Sequence, residues 1–316
     1  MIQKEPGNNT MDIAPQEKKA TRSAFVALIG RPNSGKSTLL NTVIGEDLAL
    51  VSTLPQTTRK KFKGIFTQDN LQLVFIDTPG IHRGKHAFND RMIRESTVAL
   101  RKGSADIVCY LVDLSRPFGE EEDVVSQIVM RCGLLVIVLF TKKDICDDVP
   151  AAIQSFRERF PKLASAPHCI MNAKETAAKK EFLAAIAPFV PAGPMHFPTE
   201  DLTDENMRFF ASEYIRRQII YNTTDEVPHA AYVEVNAYRE SPKCHHVEAT
   251  IHVETDGQKG IIIGKKGALI RKIQQRASED MARLAGMPVS IICHVTVTPG
   301  WRDNEKFLVK QGYGKI

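Results

Sequence analysis

Gly30-Arg31-Pro32-Asn33-Ser34-Gly35-Lys36-Ser37 follows the apolar run 24–29 and precedes a stretch, 36–44, with helical spacing. A strand, a glycine-rich turn and a helix N-terminus in that order are the setting in which G-x-x-x-x-G-K-[ST] holds phosphate. Glycine lets such a loop wrap closely, so that successive backbone N–H groups and the positive end of the helix dipole face the negative charge. In this reading Gly30, Asn33, Ser34, Gly35 and Thr38 line the phosphates and Lys36 reaches the β- and γ-phosphates. Ser37 puts its hydroxyl on Mg2+, a hard cation that requires further oxygen ligands.

Outward from this loop, residues 25–190 alternate apolar strand-like runs with helical periodicity, the pattern of an α/β fold with a mostly parallel sheet wrapped by helices. The expected strands are 24–29, 62–67, 71–76, 106–112, 134–140 and 168–171, with helices at 36–44, 88–101, 120–131, 151–160 and 179–189. In an open sheet of this kind the ligand lies beyond the carboxyl ends of the strands. Each further motif of this half falls at such an end.

The run 71–76 leads into Asp77-Thr78-Pro79-Gly80. A carboxylate there approaches Mg2+ through water, and the Gly80 N–H is placed to sense a γ-phosphate; Thr78, Pro79 and Ile81 belong to the segment which that contact would order. An isolated Asp-x-Pro-Gly is an ordinary turn, but downstream of a phosphate loop it reads as a switch. Between the two lies Ser52-Thr53-Leu54-Pro55-Gln56-Thr57-Thr58-Arg59, too polar and proline-interrupted for the core. A threonine from it completes the Mg2+ shell, Thr58 being preferred over Thr57.

After the run 134–140 comes Thr141-Lys142-Lys143-Asp144, which looks like the guanine-reading [NT]-K-x-D element. An aspartate accepts from guanine N1–H and N2–H2 together, whereas adenine offers an acceptor at N1 and lacks the exocyclic donor there. A site built to satisfy such groups rejects the analogue strongly. Lys142 would lay its aliphatic stem along the base. Asn172-Ala173-Lys174 sits where GTPases carry a Ser-Ala-Lys-like loop whose backbone touches guanine O6, a contact that survives Asn in place of Ser.

The chain has 316 residues, enough for two domains with a full core in each. Hydrophobic content of 43% and charged content of 25% are those of a globular protein, and a net charge of +5 permits a nucleic-acid partner without demanding one. Six scattered cysteines with no C-x-x-C pair argue against zinc and against a disulfide framework. No apolar run approaches the ~18 residues of a membrane span. Residues 1–23 are polar, lack a signal-like apolar core and read as a disordered extension.

From Phe189 onward Pro191, Pro194, Pro198 and Gly193 interrupt any regular element, and 191–202 reads as a linker between domains at 24–190 and 203–316. An amphipathic run 203–221 follows, with Thr203 and Asp204 as candidate caps. Alternating segments at 231–238 and 246–254 read as antiparallel strands. Then Gly260-Ile261-Ile262-Ile263-Gly264-Lys265-Lys266-Gly267 leads into a helix to about Ala285, and a last strand spans 289–297. This α-β-β-α-α-β order with Gly-x-x-Gly between two helices is that of a smaller α+β KH domain of type II. Its glycine turn clamps a single-stranded backbone. Lys259, Lys265, Lys266, Arg271, Lys272 and Arg276 occur without an acidic residue between them. Interleaved with Ile261, Ile262 and Ile263, they describe a nucleic-acid groove rather than a merely solvated face. Trp301 fits core packing as well as base stacking.

The four ordered nucleotide elements resemble the translation-factor-related GTPases. The wording of Gly30-Arg31-Pro32-Asn33, of Pro55-Gln56-Thr57-Thr58-Arg59, and of Asp77-Thr78-Pro79-Gly80-Ile81-His82 with Lys85-His86 and Asn89 is similar to the Era family of bacterial ribosome-assembly GTPases. The segments around Asp201-Leu202-Thr203-Asp204 and Trp301-Arg302 match it too, so the resemblance runs from Ala24 to Tyr313. It implies a monomeric, cytoplasmic GTP-hydrolysing switch, peripheral to the inner membrane face, whose KH domain binds the 3′ end of 16S rRNA and assists maturation of the small (30S) ribosomal subunit. It also implies K+ at Asn33, near the β- and γ-phosphates. Ile81 stands where many GTPases carry a water-orienting glutamine, so slow turnover is expected. The alternatives are another translation-factor-related GTPase, or an RNA-binding protein in which GTP is only a regulatory ligand.

Overall fold

Arg22–Gly30 (β1) is buried along nearly its whole length, as expected of a central parallel strand covered on both faces. The computed structural model describes residues 20–52, 58–81, 86–101 and 103–313. In chain order β1 is followed by α1 (Lys36–Ile44), β2 (Phe62–Gln68), β3 (Leu71–Asp77), α2 (Ala87–Ala99), β4 (Ile107–Asp113), α3 (Glu120–Arg131), β5 (Leu135–Thr141), α4 (Val149–Arg159), β6 (His168–Ile170) and α5 (Ala177–Ile186). The strand order is β2-β3-β1-β4-β5-β6, with β2 antiparallel to β3 and every other pairing parallel. Leu39, Leu40 and Val43 of α1 and Phe182 and Ile186 of α5 belong to the core on one face. Val125 and Val129 of α3 and Phe156 of α4 pack with Val108, Tyr110, Val138 and Phe140 on the other.

The second half comprises α6 (Met207–Asn222), α7 (Val227–Ala230), β7 (Tyr232–Arg239), β8 (His245–Val253), α8 (Asp256–Ile263), α9 (Ala268–Ala285), β9 (Val289–Val297) and α10 (Glu305–Lys310). Strands β7 and β8 are antiparallel, β8 and β9 parallel. This separate three-stranded sheet with its helices has the expected KH order. A capping box starts α8: Thr255 accepts from Gln258 N, and the Gln258 side chain accepts from the backbone at Glu254 and Thr255.

Two sequence expectations are corrected and one is filled in. First, β1 begins at Arg22 rather than Ala24, because Arg22 N bonds Asn70 O and Ser23 N bonds Pro191 O. Second, the 191–202 segment, read as a linker, is fastened to the first half along its course. Ala192 bridges Arg22, Ser23 Oγ donates to Pro194 O at 2.7 Å, and the Gln72 amide takes His196 N and Phe197 N while donating to Phe197 O. Third, Asn206 caps α6 by accepting from Phe209 N at 3.1 Å. Thr203 and Asp204 are occupied elsewhere: Thr203 Oγ1 donates to Lys63 O at 2.7 Å, and Asp204 pairs with Lys63.

The halves meet around Trp301, fully buried with Phe88, Met92, Tyr232, Leu308 and Tyr313. Its indole donates to Ala230 O at 2.7 Å, which settles its role as core packing.

Candidate functional site

The phosphate loop is built by backbone conformations that few residues tolerate. Gly35, at the start of α1, has φ +97°, and Asn33 has φ +63°. A Cβ on Gly30 would stand 2.6 Å from Leu111 O, and one on Gly80 would stand 2.8 Å from Pro32 Cα. Both glycines therefore permit close backbone approach, Gly80 directly against the loop. Ser34 is fully buried and its Oγ has no hydrogen-bond partner; its carbonyl accepts from Thr141 Oγ1 at 2.9 Å. Thr38 lies half-buried on the first turn of α1.

Lys36 Nζ donates to the carbonyls of Gly30 (3.1 Å) and Arg31 (2.8 Å). Burial lowers its pKa to about 8, against the upward pull of the Asp77 carboxylate. Beside it three oxygens converge: Ser37 Oγ lies 3.1 Å from both Thr58 Oγ1 and Asp77 Oδ2, and Thr58 Oγ1 donates to Asp77 Oδ2 at 3.0 Å. Asp77 is fully buried and its second carboxylate oxygen makes no hydrogen bond. Burial raises its pKa, with Lys36, Thr58 and Ser37 opposing. Two hydroxyls and a carboxylate with an unused oxygen form a hard-oxygen set that suits Mg2+. The structure thus brings Thr58 to Ser37 and Asp77; Thr57 lies outside the described residues. Thr78 anchors the strand end by donating to Leu28 O, Pro79 O accepts from Ser96 Oγ, and Ile81 is buried with its N–H on Gly30 O.

On the opposite side of the loop, Lys142 has φ +60° and Asp144 sits exposed on a 3₁₀ turn, Lys143–Ile145. Thr42 Oγ1 donates to Ala173 O at 2.7 Å, while Asn172 turns back on its own loop, accepting from Lys174 N and donating to Glu175. Lys174 is exposed.

Sequence reasoning missed three groups. Arg31 is buried against Glu122 (2.5 Å), whose other oxygen accepts from Tyr110, and donates to Pro117 O. This cluster ties the phosphate loop to α3. Burial raises the Glu122 pKa, with Arg31 and the Tyr110 hydroxyl opposing. Asp113, fully buried at the end of β4, accepts from Lys142, Arg116 and Ser115. Burial alone would raise its pKa; bonds from Lys142 and Ser115 and the Lys142 charge more than offset that and leave it below the usual range.

Third is Arg59, next to Thr58. Its guanidinium donates to Ala231 O (2.6 Å), Pro228 O (3.0 Å) and His229 O (3.2 Å) around the end of α7, and sits over the Phe88 ring. Burial lowers its pKa to about 10, reinforced by Arg216. Lys60 continues the contact, donating to Gln311 O. Arg59→Ala leaves these carbonyls without their donor and is expected to lower unfolding free energy by about 2–4 kcal/mol, read as a drop in Tm. An unchanged Tm would remove Arg59 as a fastening between the halves.

In the second half Gly264 has φ +69° and a Cβ there would stand 2.8 Å from Leu269 Cβ; Gly267 has φ +75°. Lys265, Lys266, Arg271, Lys272 and Arg276 are all exposed around this turn, and so is Ile261. Ile262 is fully buried in the core and cannot line a groove, a correction to the expectation that all three isoleucines do so. Helical geometry turns the middle residue of the three inward; Ile263 is half-buried.

Comparisons with known proteins agree with this division. The family described as "50S ribosome-binding GTPase" matches residues 25–142, and the KH domain family matches 226–302. GTPase Era of Geobacter metallireducens is 37% identical over 296 residues, covering 92% of this chain and 98% of that protein. GTPase Era of Leuconostoc citreum is 38% identical, covering 93% and 97%. Among solved structures, a tyrosine-to-alanine variant of Aquifex aeolicus Era bound to GDP·AlF4− superimposes with a TM-score of 0.87 at 27% identity, over 93% of this chain and all of that one. Era in complex with MgGDPNP and nucleotides 1506–1542 of 16S ribosomal RNA gives 0.88 at 28% identity, over 93% and 99%.

Proposed function

This chain belongs to the Era family of GTPases, and from that premise we propose that it is a guanine-nucleotide switch that binds the 3′ end of 16S rRNA through its KH half and assists maturation of the small ribosomal subunit. The observation that carries the nucleotide part is the convergence of Ser37, Thr58 and Asp77 beside Lys36, at the mouth of a loop shaped by Gly30, Gly35 and Gly80. The RNA part rests on the exposed basic turn at Gly264–Gly267 and on the relative solved with a 16S rRNA segment.

Ser37, Thr58 and Asp77 would hold Mg2+, which when bound neutralises charge on the β- and γ-phosphates. Loop N–H groups and Lys36 orient those phosphates. Asp144 reads the guanine edge, and Lys142 covers its face. Ile81, apolar and buried, cannot orient a water molecule, so intrinsic turnover is slow. The test is phosphate release from GTP and from ATP by the full chain with Mg2+, then with a chelator. Release from GTP alone, lost with the chelator, is expected; equal turnover of ATP would overturn the assignment.

Charge stabilisation must then come from elsewhere. We assign it to K+ held by Asn33, whose left-handed backbone places it in the phosphate loop. Hydrolysis is expected to run roughly 10-fold or more faster in K+ than in Na+, and Asn33→Ala to abolish the difference. Identical rates in the two salts would exclude the ion.

A further inference from the structure

Asp113 lies on the far side of the phosphate loop from Asp77, and none of the sequence motifs includes it. One of its carboxylate oxygens, Oδ2, accepts both Lys142 Nζ at 2.7 Å and Arg116 Nε at 2.9 Å. The other, Oδ1, is taken by Ser115, from its N–H at 3.0 Å and its hydroxyl at 2.6 Å. Arg116 in turn donates to Pro32 O of the phosphate loop at 3.0 Å. One fully buried carboxylate oxygen therefore joins the element that faces the base to the loop that faces the phosphates.

We propose that Asp113 is a positioning residue that fixes the base and phosphate halves of the nucleotide site in one geometry. The proposal rests on the guanine-nucleotide reading above and adds a residue to it. Lys142 is a long flexible side chain, and ordering it at the moment of binding opposes association. Lys142 is held at its amine by Asp113 and follows directly on Thr141, which pairs with Asp113 across β4 and β5, so both ends of its side chain are fixed before a base arrives. Arg116 does the same for the loop: through Pro32 it resists splaying of the phosphate cradle away from β4. Preorganisation of this kind slows departure of a ligand more than it speeds arrival.

Asp113→Asn separates the role from mere folding. Its amide oxygen still accepts from Ser115, so the turn after β4 keeps its bonds. Its amide nitrogen then faces two cationic donors and holds neither. The measurement is dissociation of N-methylanthraniloyl-GDP from the full-length protein, with Tm recorded in the absence of nucleotide. Asp113→Asn is expected to speed dissociation about 10-fold or more. Lys142→Ala and Arg116→Ala should each reproduce part of that factor. In the Lys142→Ala/Arg116→Ala background, adding Asp113→Asn should change the rate by less than about 2-fold, because both arms through which it acts are gone. The same fold-change in every background would mark a general structural effect and overturn the proposal, as would an unaltered rate in the single variant. A wild-type protein that binds ADP as tightly as GDP would overturn the nucleotide reading itself, an outcome visible before any variant is made.

Discussion

Asp144→Asn is expected to lower affinity for GTP by about 100-fold or more and to transfer preference to xanthosine triphosphate. Guanine presents two donors, N1–H and N2–H2, to a carboxylate that has only acceptors to offer. An amide at the same place sets its own NH2 against the guanine NH2, leaving donors facing donors. Xanthine carries a carbonyl there, which accepts from the new amide and restores the pair. Asp144 is exposed on the short 3₁₀ turn after β5, away from the cores of either half, so the exchange alters recognition without touching the fold. Calorimetric titration with GTP, XTP and ATP checks it. A variant that keeps wild-type affinity for GTP would show that the guanine edge is read elsewhere.

Lys265→Asp with Lys266→Asp is expected to lower affinity for RNA by about 100-fold or more at moderate salt and to leave GTP affinity near normal. Both side chains are exposed on the Gly264–Gly267 turn, and Lys266 has φ +51°, a conformation that aspartate adopts more readily than most residues. The variant therefore reverses local charge with little cost to the backbone. Each phosphate contact on a single strand contributes about −0.7 to the slope of log affinity against log salt, so two lost contacts should flatten that slope by about 1.4. Arg59 and Lys60 bind carbonyls of the KH half, so the full chain is the proper material. Undiminished binding to an oligonucleotide of the rRNA 3′ end would remove the RNA site from this turn, and lost GTP binding would mean that the halves do not act separately.

The motifs legible in the sequence are those whose residues are near neighbours along the chain. Gly30 to Ser37, Asp77 to Gly80 and Thr141 to Asp144 each encode a strand end and a turn, and the structure places them around one loop. The preference for Thr58 could be read only weakly; Thr58 is bonded to Ser37 and Asp77, and Thr57 lies outside the described residues. The contacts of Arg59 with Ala231 O, of Asp113 with Lys142 and of Arg31 with Glu122 were not legible, because the partners lie far along the chain. Arg59 finds its acceptors about 170 residues away in sequence, and Asp113 looks like the last residue of a buried strand until Lys142 is folded over it. Cap positions failed for a related reason. Thr203 and Asp204 have the right chemistry to begin a helix, but contacts with Lys63 claim both, and the helix starts at the next suitable residue, Asn206. In the Ile261–Ile263 run composition suggested an apolar wall, whereas helix phase decides which member is available.

The fastening of residues 191–203 also has a mechanical meaning. β2 forms one margin of the six-stranded sheet, and its outer backbone groups meet the arriving chain: Ile65 N donates to Leu202 O at 2.7 Å, and Gly64 bridges Thr203. An open sheet margin is a template for pairing with other chains, and here the connecting segment occupies part of it. Asp204 pairs with Lys63 of the same strand, so the occupation leaves only residues 205 and 206 between the last stitch on β2 and the first turn of α6. The connecting segment is thus itself part of the join between the halves, alongside Arg59 on the carbonyls of Pro228, His229 and Ala231, Arg217 on Asp47 and Arg91 on Glu305.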